Sequence, residues 1–96
     1  MADKVEVENV NTPGKTTRVD AAKYKAMHDA MLSVLPSEAP GMVVADVIQA
    51  VKPNLPDDLY PGGKTSGWWV KCVQLDLEAK KVIARADKPP VRLYKI

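Results

Sequence analysis

The chain has 96 residues, a net charge of +2 and 46% hydrophobic residues, enough for one domain with a modest core and too few for a second. One cysteine, Cys72, and one histidine, His28, exclude an internal disulfide and leave too few soft ligands for a structural zinc site, so neither metal nor cofactor is expected. No apolar run approaches the roughly 20 residues that span a bilayer, and Met1 to Val10 sets charges between its valines where a signal peptide would be apolar. A cytoplasmic location with no membrane contact is the expectation.

Lys4 to Val10 alternates Val5 and Val7 with Glu6 and Glu8, which reads either as a short strand with one buried face or as an arm ordered against the core. Asn11 to Arg18 reads as a turn-rich connector, because Pro13-Gly14 suits the centre of a type II turn. Asp20 is a helix N-cap, with Val19 and Tyr24 at the positions of a hydrophobic staple. Behind it Tyr24, Met27, His28, Met31, Leu32 and Leu35 form one continuous helical stripe that Pro36 ends. His28 belongs on or beside that buried face, and no nucleophile can be assigned to it.

Ser37 to Gly41 reads as a loop, followed by a helix of about eight residues with Val44, Val47, Ile48 and Val51 on one side and Pro53 as its stop. So many β-branched residues make that helix dependent on tertiary packing. Pro53 to Gly63 is a long connection rich in proline, aspartate and glycine, longer than a tight helix-turn-helix uses, so the helices it joins are expected to be loosely linked.

A third helix begins near Thr65 or Ser66 and runs to Lys80, with Val70, Val73 and Leu77 as its inward stripe. A second stripe, Trp68, Cys72, Leu75 and Ala79, lies nearly opposite, and Lys71, Gln74 and Glu78 fall between the two. Helix period then yields to strand period, and Lys88-Pro89-Pro90 separates Val82 onward from Val91 to Ile96, which predicts a hairpin. The apolar second stripe is expected either to be covered by the N-terminal arm or the long loop, or to meet another chain.

Catalytic motifs fail on inspection. Gly14-Lys15-Thr16 and Gly63-Lys64-Thr65 lack the upstream glycine of a P-loop, since Asn9 and Asp58 stand there, and neither follows a buried parallel strand. Gly63 to Gly67 imitates a nucleophile elbow with threonine at its centre and no preceding strand. Asp57 and Asp58 lie in a proline-rich loop where solvation is the ordinary state. No enzyme is expected.

Charge is unevenly placed: eight bases stand against three acids from Pro61 onward, and six against nine before it. Lys15, Arg18, Lys64, Lys71, Arg85, Lys88 and Arg92 can line one face and release counterions from a duplex, giving weak, salt-sensitive binding. Only Lys71 and Gln74 look able to read base edges, and a merely solvated surface explains the same charge.

Asn11 to Asp20, Tyr24, Tyr60-Pro61-Gly62-Gly63, Gly67-Trp68-Trp69 and Val73 to Lys80 resemble an uncharacterised family of small bacterial winged-helix-like proteins. The resemblance covers nearly the whole chain; it implies the fold and a bacterial origin and supplies no substrate or catalytic residue. The expected architecture is therefore α+β, a winged helix-turn-helix of three helices with a C-terminal β-hairpin wing, over 1–96 as one domain. Within it, 1–18 is an arm or strand and turn, with the strand free to join the wing, and 19–96 is helical core and wing. Non-enzymatic binding of duplex DNA through the third helix and wing is the leading expectation. The alternative is a protein-interaction or dimerisation module that uses Trp68, Cys72 and Leu75.

Overall fold

The computed structural model describes residues 3–12, 14–86 and 90–96. The chain opens with a hairpin: β1 (Lys4–Glu8) pairs antiparallel with β2 (Thr16–Asp20), setting Val5 against Val19 and Val7 against Thr17. Two expectations are corrected here. Thr16 to Arg18 belong to a strand rather than to a connector, because Thr16, Thr17 and Val19 are β-branched and Thr17 and Val19 alternate onto the face of Val5 and Val7. The N-terminal strand accordingly joins this second strand and not the C-terminal hairpin. Pro13, half of the expected type II turn, lies outside the described residues, while Gly14 takes φ 89°.

α1 (Ala21–Val34) starts directly from β2, and Asp20 caps it by accepting from the Lys23 amide at 3.0 Å. Met27, Ala30 and Met31 are buried along its stripe, and Leu35 closes it. His28 is half-buried, 3.0 Å from Asp29 and beside the Tyr24 ring. The expected loop then gives way to β3 (Met42–Val43), two residues that pair with the C-terminal strand. Gly41 makes this approach possible: at φ 88°, a Cβ there would collide with the Leu93 carbonyl. α2 (Val44–Val51) follows as predicted, with Val47 and Val51 fully buried, and Pro53 falls in the single 3-10 turn that succeeds it.

The connection to the third helix is anchored, not loose. Tyr60 is 1% exposed, its hydroxyl donates to the Lys23 carbonyl at 2.7 Å, and its ring meets Trp69 edge to face. α3 (Ser66–Ala79) buries Val70, Val73 and Leu77 as expected. Lys81 ends it at φ 61°, with Lys81 N bonded to the Glu78 carbonyl and Val82 N to the Leu77 carbonyl. This is a Schellman motif, and it turns the chain from helix into strand. β4 (Ile83–Arg85) and β5 (Arg92–Lys95) form the predicted hairpin, and β3 completes a three-stranded antiparallel sheet in the order β3-β5-β4. Lys95 ties that sheet to α1 through the Pro36 and Leu32 carbonyls. The architecture is α+β, with three α-helices and two small antiparallel sheets among the described residues, and no helix among them is long and apolar enough to cross a membrane.

Asp76 holds the N-terminal hairpin against this body. Its side chain is 0% exposed. One oxygen accepts from the Glu8 amide at 2.8 Å, the other from the Tyr24 hydroxyl, and Lys80 approaches to 2.9 Å. A carboxylate so deeply placed is tolerable only when its lone pairs are met by donors and its charge by a cation. Burial first, then the bond to Asp76 and that carboxylate's charge, hold the Tyr24 phenol well above its ordinary range; burial and the charge of Asp20 do the same for Tyr60.

Three outcomes are expected from this architecture. Leu77→Ala opens a cavity in the inward stripe and should cost about 2–5 kcal/mol, lowering the melting temperature by roughly 8 °C or more; a variant melting within a degree of the parent would place Leu77 off the core. Lys81→Gly relieves a left-handed lysine and should stabilise by about 0.5–1 kcal/mol, so a melting temperature below the parent's would refute the cap. Both raised phenols favour the folded state fully below their ordinary value of 10.0 and lose that contribution as pH climbs through the folded values. Denaturant titrations stepped between about pH 9 and 11 should therefore show stability falling in the parent and falling less in a Tyr24→Phe/Tyr60→Phe variant; parallel curves would overturn the assignment.

Candidate functional site

Between the hairpin and α3 lies an open groove of about 220 Å³. Strand alternation supplies one wall, Val7, Thr17 and Val19 with Glu8 and Asn9 at the end, and helical spacing supplies the other, Trp68, Lys71, Cys72 and Leu75. Of the alternatives for the second stripe, cover by the N-terminal arm is met in part. The hairpin roofs Cys72 and Leu75 to half-burial, while Trp68 remains 60% exposed. Trp68 does not stand alone: its ring meets that of Trp69 edge to face at 5.1 Å, and Trp69 is packed into the core against Tyr60. The exposed indole is therefore braced by a buried one.

The groove is smaller than the roughly 300–1,000 Å³ of ordinary small-molecule sites, which suits a side chain or two better than a cofactor. Its floor is apolar and its rim carries one cation, Lys71, exposed and in no ion pair among the described residues. Burial, followed by the charge of Asp76, pushes the Cys72 thiol up, which keeps it protonated and a poor nucleophile. Among the described residues no group of three His, Cys, Asp or Glu side chains could hold a metal ion.

The basic residues do not gather on one face. Lys71 sits in the groove, while Arg18 on β2 and Lys15 just before it are exposed and outside its lining, Arg18 lying 3.9 Å from Glu6 with both side chains largely in solvent. Lys64 is exposed just before α3. Arg85 is engaged at the far end of that helix, about 20 Å away along its axis, where it grips Glu78 through Nε at 2.7 Å and Nη2 at 2.9 Å. The bond to Glu78 also holds the guanidinium above its ordinary value. Arg92 is half-buried on β5, and Lys88 lies outside the described residues.

Gln74 requires a correction. Expected between the two stripes of α3 and able to read base edges, it is 1% exposed and donates from Nε2 to Glu78 at 3.2 Å, so it offers nothing to a base edge. Its Oε1 has no partner among the described residues. The neighbouring Asp76 escaped sequence reasoning altogether, because Asp76 with Lys80 looks like an ordinary surface pair at i,i+4 spacing. Tyr60 escaped it too, as a single aromatic among prolines and glycines carries no periodic signal.

No curated protein and no solved structure matches this chain. One family model does, over residues 4–93, which runs from the first residue of β1 into β5 and takes in both walls of the groove. On that match the chain belongs to DUF6958, a family of unknown function.

Proposed function

We propose that this chain is a non-enzymatic winged-helix domain that acts as a protein-interaction module through the Trp68, Cys72 and Leu75 face of α3. The fold reading is supported by the order α1-β3-α2-α3-β4-β5 and by the β3-β5-β4 sheet, in which the β4–β5 hairpin takes the place of the wing. The observation that carries the function is Trp68, a large aromatic 60% exposed beside an apolar groove and backed by a buried ring. Braced aromatics over a desolvated pocket are the usual anchors of protein contacts. Support for a non-enzymatic role comes from Asp76, the one fully buried carboxylate among the described residues, whose oxygens are occupied by donors from β1, α1 and α3.

Weak binding of duplex DNA is the second reading, favoured by the exposed Lys71 on the helix that a winged helix lays in the major groove and by the exposed Lys64 just ahead of it. Against it stand the burial of Gln74, the capture of Arg85 by Glu78 and the hairpin lying over α3. Sedimentation of the parent, Trp68→Ala and Leu75→Glu over a concentration series, beside an amide-shift titration with random duplex in about 50 mM salt, separates the two. Trp68→Ala should melt within about 2 °C of the parent, as befits an exposed side chain, any self-associated mass should fall in both variants, and the amides of Lys64 and Lys71 should stay still. Salt-sensitive duplex shifts at those lysines, or a Trp68→Ala protein that fails to fold, would sink the interaction reading.

A further inference from the structure

The backbone of β2 offers something its side chains do not. In an antiparallel ladder, facing residues alternate between pairs that exchange both main-chain bonds and pairs that exchange none. Ala21 N donates to the Asp3 carbonyl at 2.9 Å, one step beyond the Lys4–Asp20 pair. By that parity Val5–Val19 and Val7–Thr17 are the bonded pairs, while Glu6–Arg18 and Glu8–Thr16 turn their amides and carbonyls outward. Glu8 obeys the rule independently, since its amide donates away from β2 to Asp76 at 2.8 Å. At Glu8 the outer edge of β1 is thereby taken up by α3. On β2, the amides and carbonyls of Thr16 and Arg18 face outward and meet no hydrogen-bond partner among the described residues.

The geometry points to this edge, with the groove beside it, as the seat of an extended acidic peptide taken up as an added strand. The inference rests on the reading of the Trp68 groove as a protein contact face and names the partner's chemistry. An added strand lies about 4.8 Å from β2 and continues its pleat. Every second side chain then falls beside Thr17 and Val19, over the groove that Trp68, Cys72 and Leu75 close from below. The intervening side chains fall beside Arg18 on the outer face. Charge selects acids for those positions: Lys15 and Arg18 lie on the β2 side and Lys71 stands across the groove, while Glu6 and Glu8 belong to β1 and the one acid of β2, Asp20, is engaged as the cap of α1.

β1 itself displays the required pattern. Its Val5 and Val7 face inward and its Glu6 faces Arg18 across the existing ladder, so the partner repeats on the open edge what β1 does on the closed one. A second copy of the chain fits less well, because the symmetric β2–β2 register centred on Arg18 sets two arginines side by side.

The test uses the whole chain with isotope-labelled amides and an acetylated heptapeptide of alternating valine and glutamate. It should shift Thr16, Arg18 and the Trp68 indole, and slow amide exchange at Thr16 and Arg18. A peptide N-methylated at its glutamates and one with lysine for glutamate should each bind at least about tenfold more weakly, and Arg18→Glu should favour the lysine peptide. Equal binding of the N-methylated peptide, or shifts at Trp68 without shifts at Thr16 and Arg18, overturns strand addition while leaving the groove a contact face. Equal binding of the lysine peptide overturns the acidic assignment, and a dimer mass accompanied by slowed exchange of the Thr16 and Arg18 amides without peptide would make a second copy the occupant. Silence at both the edge and the indole under excess peptide overturns the inference and removes its support from the interaction reading as well.

Discussion

A single buried carboxylate sets the relative placement of three parts of this chain. Asp76 lies on α3, yet its oxygens are met by the amide of Glu8 on β1 and the hydroxyl of Tyr24 on α1, with Lys80 supplying the countercharge. Apolar packing alone would hold these elements together without fixing the register of the hairpin on the helix, since hydrophobic burial is non-directional. Hydrogen bonds to a buried anion are directional, and leaving one unmade costs about 1–3 kcal/mol. The hairpin therefore docks in one place.

The candidate site follows from that docking. Once Glu8 is bonded to Asp76, the alternation of β1 and β2 turns Val7, Thr17 and Val19 toward the stripe of α3. The roof stops short of the first turn of the helix, which leaves Trp68 outside and a groove behind it. A second polar cluster, Gln74 with Glu78 and Arg85, does for the other side of α3 what Asp76 does for the first, linking the helix to β4. Between them these clusters convert a helix that looks two-faced in sequence into one with a single open strip.

The three helices were legible because their apolar residues recur at helical spacing and their ends are marked by Asp20, Pro36 and Pro53. The C-terminal hairpin was legible from its change of period. β3 was not, since two residues carry no period, and β2 was hidden by the Pro13-Gly14 turn signal just ahead of it. The apolar half of the groove, Trp68, Cys72 and Leu75, could be read from spacing, but its hairpin wall could not. Reading polarity by residue type alone missed the burial of Gln74 and the pairing of Arg85 with Glu78. Polar residues on a helix are counted as solvent-facing unless their partners are known, and Tyr24 and Glu8 stand 52 and 68 positions from Asp76.

That separation has a bearing on how the chain is made. The hairpin is complete once its first twenty residues exist, but the carboxylate that seats it is not yet synthesised. At about 5–20 residues per second, some 3–14 s pass between the appearance of Glu8 and that of Asp76. During that interval α3 cannot cover the valine face or take up the Glu8 amide, and a two-stranded ribbon with unpaired edges is prone to pairing with a neighbouring chain. Glu6 and Arg18, exposed on its outer face, put charge on both strands at the time when nothing else protects them.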